Sequence, residues 1–352
     1  MPYAYVSNFG DGTVSVIDME RQGVVGTLLT GDQPFGVALA QDKKLLFVTL
    51  YNVGVVRVLD ATYHEFSSQV GIAGVGGIGH SARGIALTPD GKRAYVSSAR
   101  NGGISFGGTV VSMVLSGSVW LMDTTTFAVQ ELVGPAPSGF TGQALQNPYC
   151  VAAYAGSFGT RIYIADMGIN LENLSGGLRV VDDANPQWGP LQPLILSASP
   201  LPFYNCAGVA VTPDGMVYVG NNGVFFNWNA SWIELGPGSV TAARERSLIP
   251  PPWKISIGEN TLPAGIATSL DGKTVYVALS GTNNIAAINT SSHSVSYSAS
   301  VLNAPMGLTV TPDGEHLYAA NSGANTVTVF SLPDLRAGPT ITVGNGPCFV
   351  AM

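Results

Sequence analysis

The sequence predicts an all-β fold: a seven-bladed β-propeller of four-stranded antiparallel blades, its ring closed by the C-terminal strand pairing into the N-terminal blade. Three observations predict it. An aromatic residue within a short β-branched run recurs at Tyr5, Phe47, Tyr95, Tyr163, Tyr218, Tyr276 and Tyr318. The spacings are 42, 48, 68, 55, 58 and 42 residues, and the step from Tyr318 past the end and back to Tyr5 is 39. A period of about 40 with several short strands per copy is the signature of propeller blades. Finally, the chain stops in GPCFVAM, the opening phrase of another copy.

Each copy reads in the same order. Its first strand carries a Pro-x-Gly phrase, as in PFGVAL, PAGIAT and PMGLTV. A tight turn follows, TPDG at Thr88–Gly91, Thr212–Gly215 and Thr311–Gly314, with SLDG at Ser269–Gly272 and AQDK at Ala40–Lys43 as variants. Proline pre-sets φ for such a turn and glycine accepts positive φ. The aromatic strand comes next: YAYVSN, LLFVTL, RAYVSS, RIYIAD, MVYVGN, TVYVAL and HLYAAN. A third strand ends in an acidic or polar residue, at Asp18, Asp60, Asp123, Asp182 and Asn289. A fourth follows, as in GVVGTL and TITVG. Apolar and polar residues alternate in TVSVID and TVTVFS, and no helical period competes. The first copy lacks its opening strand, and the C-terminus supplies it. The reading is one domain over 1–352, with blade 1 built from about 3–30 plus 345–352. Closure of this kind removes exposed sheet edges.

Composition narrows the function classes. Charged residues are 11% of the 352, hydrophobic residues 46%, and the net charge is -7. No Lys/Arg cluster offsets that balance, so nucleic acid is not an expected partner. Residues 101–122 are uncharged and long enough to span a bilayer, but Gly and Ser interrupt them and they sit inside the repeat register, so no membrane insertion is expected. Strand-like sequence starts at Tyr3, which leaves no visible leader. As it stands the sequence reads as cytoplasmic, with a mature periplasmic or secreted form as the alternative. Three cysteines and four scattered histidines make neither a disulfide framework nor a metal motif, so no metal and no cofactor is expected. Cys150, Cys206 and Cys348 all fall at first-strand starts, where small buried residues belong.

The phrases PxGIAxTPDG, YVSN and VSVID resemble the YVTN-type β-propeller repeat, over essentially the whole chain and most loosely in the middle blades. Members of that group are similar to surface-layer modules, cofactor-free propeller subunits of amine dehydrogenases, and lactonases. The resemblance implies the fold and does not choose among these functions.

Insertions mark one face. The links between second and third strands are short in blades 1, 2, 6 and 7, but extend over about 98–118, 166–177 and 221–238 in blades 3 to 5. The linkers around 71–81, 133–147 and 197–205 are also long and should emerge on the same face. Loops held by a rigid scaffold are where binding residues gather. Phe225, Trp228 and other loop aromatics either pack onto the blade tops or line a pocket for an apolar ligand.

The second clue is the middle residue of each Pro-x-Gly equivalent: Phe35, Arg83, Tyr149, Ala207, Ala264, Met306 and Cys348. Arg83 is the one charge in that set, and His80 stands three residues before it. The last residue of each aromatic strand should approach the same rim, and there Asp166 is the one carboxylate, beside Asn221 of blade 5. Arg83 and Asp166 either form a structural ion pair between blades or belong to a ligand site. The candidate ligand-binding set is His80, Arg83, Arg100, Tyr149, Asp166, Asn221, Phe225, Trp228, Phe35 and Met306, and no catalytic residue is assigned. The leading expectation is a binding propeller for a small, largely apolar molecule or a partner protein. The alternatives are a metal-independent hydrolase or lyase at the same channel mouth, and a noncatalytic subunit of a larger enzyme complex.

Overall fold

The computed structural model describes residues 2–40, 42, 44–72, 80–106, 109–133, 147–157, 159–166, 177–184, 206–221, 224–227, 232–235, 238–244 and 253–352. It is an all-β seven-bladed propeller with antiparallel blades. Strands are lettered A to D in the order of the repeat. Blade 1 takes strand A from the C-terminus, Pro347–Ala351, followed by Tyr3–Asn8, Thr13–Asp18 and Gly23–Leu29. Blade 2 is Pro34–Leu39, Leu45–Leu50, Val55–Asp60 and Glu65–Gly71, and blade 3 is His80–Leu87, Arg93–Phe106, Thr109–Asp123 and Val129–Val133. Blade 4 shows strands A to C among the described residues, Pro148–Gly156, Gly159–Asp166 and Gly177–Asp182. Blade 5 is Cys206–Val211, Met216–Asn221, Ser239–Arg244 and Trp253–Ser256, with a hairpin of Val224–Asn227 and Trp232–Leu235 between its strands B and C. Blade 6 is Pro263–Thr268, Thr274–Leu279, Asn284–Asn289 and Val295–Tyr297, and blade 7 is Pro305–Val310, His316–Asn321, Thr326–Ser331 and Arg336–Thr342.

The chain forms two compact units, Met1–Gly31 with Phe203–Met352, and Asp32–Pro202. In the first, the last strand completes blade 1: Ala351 pairs with Tyr5, Val350 with Val6 and Pro347 with Asn8. Each core of this unit lies between neighbouring blades. Tyr218 of blade 5 packs with Val275 and Ile288 of blade 6, Tyr276 of blade 6 with Leu308 and Phe330 of blade 7, and Tyr318 of blade 7 with Ala4, Ile17 and Val350 of blade 1. The second unit repeats the arrangement. Phe47 of blade 2 packs with Ala82, Val96 and Trp120 of blade 3, and Tyr95 of blade 3 with Ile162, Ile164 and Val181 of blade 4. At these five positions the recurring aromatic therefore supplies the layer between its own blade and the next. Burying such a ring is among the larger apolar contributions a single residue makes.

The Pro-x-Gly glycine has an equally local cause. A Cβ at Gly36 would stand 2.4 Å from the carbonyl oxygen of Arg83, and one at Gly84 would stand 2.6 Å from that of Tyr149. At Gly265 and Gly307 it would meet Met306 and Cys348 oxygens at 2.3 and 2.4 Å. Only a residue without Cβ lets the next blade's first strand come this close.

Two of the expected insertions are regular structure in part. The segment read as a loop over 98–118 lengthens the blade 3 hairpin, with strands B and C pairing as far as Phe106 and Thr109. Main-chain pairing of the two arms runs on past the usual strand end, from Ser98 with Ser118 out to Phe106 with Thr109, with one shift of register between Val114 and Ser116. The 221–238 insertion carries the small hairpin noted above, while residues 167–176 of the third insertion lie outside the described residues. The uncharged run 101–122 falls in this hairpin, and among the described residues no helix is long and apolar enough to cross a membrane.

Candidate functional site

The site is built in the Asp32–Pro202 unit from strand A starts of blades 2, 3 and 4. The glycine contacts set Phe35, Arg83 and Tyr149 side by side, because Gly36 abuts the main chain of Arg83 and Gly84 that of Tyr149. Hydroxyls lock the same seam: Thr49 Oγ1 donates to the Arg83 carbonyl at 2.5 Å, and Ser97 Oγ to the Tyr149 carbonyl at 3.0 Å. A bulge between Ala82 and Ile85 lets strand A depart from regular pairing at Arg83.

Arg83 is a charge held almost entirely away from water, at 4% exposure. Such burial is costly unless the cation is compensated. Its Nη1 donates to Asn147 Oδ1, and its Nη2 donates to the Tyr51 hydroxyl at 3.3 Å. The guanidinium carbon stands 5.3 Å from the Tyr51 ring centre and 5.5 Å from that of Tyr149. Phe35 backs both rings, edge-on to Tyr149 at 5.2 Å and tilted against Tyr51 at 5.9 Å. Cation–π attraction thus replaces part of the lost hydration. Among the described residues the Nε of Arg83 is buried with no hydrogen-bond partner. Ser98 Oγ is likewise buried and unpartnered, and Ser98 pairs across the hairpin with Ala82, the residue before Arg83.

Asp166 is also buried, and it connects to Arg83 through Asn147. Its Oδ1 accepts the main-chain N–H of Asn147 at 2.7 Å, while the side chain of the same asparagine accepts from Arg83. Arg179 lies on the neighbouring strand, buried like Asp166, in register with Ile164. Burial pushes the Cys150 thiol up to about 12, with the charge of Arg83 working against it. The Cys348 thiol is pushed to about 12 by burial alone.

Of the sequence-predicted residues, the structure therefore brings together Phe35, Arg83, Tyr149 and Asp166. His80 and Arg100 are main-chain pairing partners in blade 3, but their side chains and that of Phe225 lie outside the described residues, as does all of Trp228. Asn221 and Met306 belong to the other unit. There Asn221 Nδ2 donates to Thr241 Oγ1 of its own blade at 3.0 Å. Asn8 and Asn321 do the same toward Ser15 and Thr328, at 2.9 and 2.8 Å. The asparagine that ends these aromatic strands clamps strand B to strand C.

Sequence reasoning missed Tyr51 and Asn147. Both lie just outside the repeat phrases, one residue past an aromatic strand and one residue before a Pro-x-x phrase. The usable signal was Tyr51 itself, an aromatic following Leu50 where blades 3, 5, 6 and 7 place Ala99, Asn222, Ser280 and Ser322. Among the described residues one set of three potential metal donors converges, Asp313, Glu315 and His316. It sits on an exposed turn whose Asp313 Oδ1 already accepts from Thr311 and from the Glu315 N–H.

The family model for lactonases of the seven-bladed β-propeller type matches residues 232–338. A search of curated proteins found no match. Among solved structures the chain is similar to hydrazine synthase of Kuenenia stuttgartiensis, at 18% identity and TM-score 0.68, covering 93% of this chain and 91% of that one. It is similar to a protein of unknown function from Desulfotomaculum acetoxidans, at 13% identity and TM-score 0.65, covering 99% of each. It is also similar to the periplasmic gluconolactonase of Pseudomonas aeruginosa, at 15% identity and TM-score 0.64, covering 99% and 98%. These likenesses concern the fold.

Proposed function

We propose that this chain is a ligand-binding β-propeller of YVTN-type repeats, a single domain over 1–352 whose site is the inner rim of blades 2 to 4. The ligand is a small molecule with a largely apolar body and one oxygen-bearing polar group. A single observation carries the reading: Arg83 is buried between two tyrosine rings, and its Nε has no partner among the described residues. An unsatisfied buried donor costs about 1–3 kcal/mol, which a ligand oxygen would recover. Arg83 offers that donor to a ligand oxygen. Tyr51, Tyr149 and Phe35 offer flat apolar surface beside it.

A second reading, lactone hydrolysis, is supported by the family match over 232–338 and by the likeness to a gluconolactonase. The matched segment contains none of Phe35, Tyr51, Arg83, Asn147, Tyr149 or Asp166, so the site residues do not themselves speak for it. The likeness to hydrazine synthase supports, in the same coarse way, a propeller subunit of a larger complex.

Calorimetric titration with phenylacetate, the simplest molecule joining a carboxylate to a flat apolar body, tests the binding reading, with gluconolactone hydrolysis followed in parallel. Saturable phenylacetate binding with no lactone turnover is the expected result. Turnover of gluconolactone that survives loss of Arg83, with no phenylacetate binding, would overturn the proposal in favour of the hydrolase.

A further inference from the structure

The geometry points to Asn147 as the positioning residue that makes this site select a carboxylate, an inference that rests on the binding reading above. A guanidinium carries five N–H donors in one plane. Here Nη1 is taken by Asn147 Oδ1 and Nη2 reaches the Tyr51 hydroxyl at 3.3 Å, while Nε has no partner among the described residues. The Nε–H and one Nη2–H point the same way and are spaced to meet both oxygens of a carboxylate side-on. By holding the Nη1 end, Asn147 turns this remaining edge away from itself and toward the ligand.

Asn147 is itself fixed. It is buried at 3% exposure, its N–H is held by Asp166 Oδ1 at 2.7 Å, and it precedes Pro148, which restricts its backbone to extended conformations. The two tyrosine rings flank the guanidinium at 5.3 and 5.5 Å and oppose its rotation. The chemistry of the partner matters as much as its place. A carboxylate at position 147 would neutralise Arg83 and compete with an anionic ligand. A neutral carboxamide orients the cation and leaves its charge for the ligand. A carbonyl or an amide on the same apolar body would meet one donor rather than two, so it should bind more weakly.

The test follows the Arg83 Nε–H signal in protein labelled with 15N-arginine, assigned by its disappearance in Arg83→Lys. Phenylacetate and phenylacetamide are titrated into the wild type and into Asn147→Asp, which keeps the size of the side chain and the main-chain bond to Asp166. The signal should move in the wild type with phenylacetate at lower concentration than with phenylacetamide. In Asn147→Asp the affinity for phenylacetate should fall by roughly tenfold or more, and the preference over the amide should vanish, with the melting temperature near that of the wild type. If Asn147→Asp does not fold, Asn147→Ala, which withdraws the acceptor, carries the same expectation for affinity. A wild-type response with the preference intact in the variant would overturn the role of Asn147 and leave the binding reading standing. A wild-type signal that neither probe moves would overturn both.

Discussion

Asp166 Oδ1 accepts the main-chain N–H of Asn147 at 2.7 Å, so the one acidic residue closing an aromatic strand holds the residue that contacts Arg83. In blades 1, 5 and 7 the same strand end carries an asparagine whose amide nitrogen donates to strand C hydroxyls. Blade 4 reverses the polarity, with an acceptor in place of a donor. Asp166→Ala should leave a buried N–H unpaired and cost about 1–3 kcal/mol in urea unfolding. It should also weaken phenylacetate binding, because Asn147 is released. Asp166→Asn keeps an acceptor oxygen and should lose less of both. Unchanged unfolding of Asp166→Ala would show that this bond holds nothing.

Gly84 is expected to be intolerant of any side chain. Its Cβ position is 2.6 Å from the Tyr149 carbonyl oxygen and 2.9 Å from Cys150 Cα, both main-chain atoms that cannot swing aside. Gly84→Ala should destabilise by about 1–3 kcal/mol through overpacking and displace the Tyr149 ring from Arg83. Unfolding and phenylacetate titration of the variant check both effects.

The tight turns carry a pH signature. Thr88 Oγ1 donates to Asp90 Oδ1 at 2.6 Å and Thr311 Oγ1 to Asp313 Oδ1 at 2.5 Å. These hydroxyls are the main cause holding both carboxyls below the ordinary value of 3.8, with main-chain N–H groups of Lys92 and Glu315 next. A carboxyl lowered on folding stabilises above its unfolded value and loses that contribution as pH falls through the folded one. Melting temperature should therefore drop below a pH of 3.8. In the Thr88→Val, Thr311→Val double variant the melting temperature should start lower at neutral pH and fall less steeply in acid. Parallel curves for the two proteins would contradict this.

Deleting Pro347–Met352 should be severe. It removes strand A of blade 1, the acceptor carbonyl of Val350 for Thr309 Oγ1 at 2.6 Å, and Val350 from the core shared with Tyr318. The strand of Tyr3–Asn8 would be left with an unpaired edge. Insolubility or a large fall in melting temperature is expected, and a soluble truncation that melts like the full chain would contradict it.

Much of the fold was legible because its causes are local and repeated. Phe47, Tyr95, Tyr218, Tyr276 and Tyr318 each fill the layer toward the next blade, and the Pro-x-Gly glycine admits the next blade's first strand; both leave a mark at fixed register. Strand ends were harder. Asn8, Asn221 and Asn321 read as rim positions, but the amide of each is tied to hydroxyls of the adjoining strand. The signal was present as Thr13 and Ser15 after Asn8, and Thr326 and Thr328 after Asn321. In blade 5 an insertion separates Asn221 from Thr241 and hides it. The site was half legible: a charge in an otherwise uncharged register marked Arg83, whereas Asn147 and Tyr51 meet it from linker positions that no periodicity reaches.

Arg83 is kept either for a ligand or for the fold, and the two roles separate in one experiment. The most direct measurement is phenylacetate affinity beside melting temperature for Arg83→Lys and Arg83→Ala. Lysine keeps the charge and most of the stem but has neither the Nε–H nor the planar fork. Arg83→Lys should melt close to the wild type and bind phenylacetate at least about tenfold more weakly, and Arg83→Ala should fold without measurable binding. Wild-type affinity in an Arg83→Ala protein whose melting temperature has clearly fallen would contradict the account and make Arg83 a structural cation.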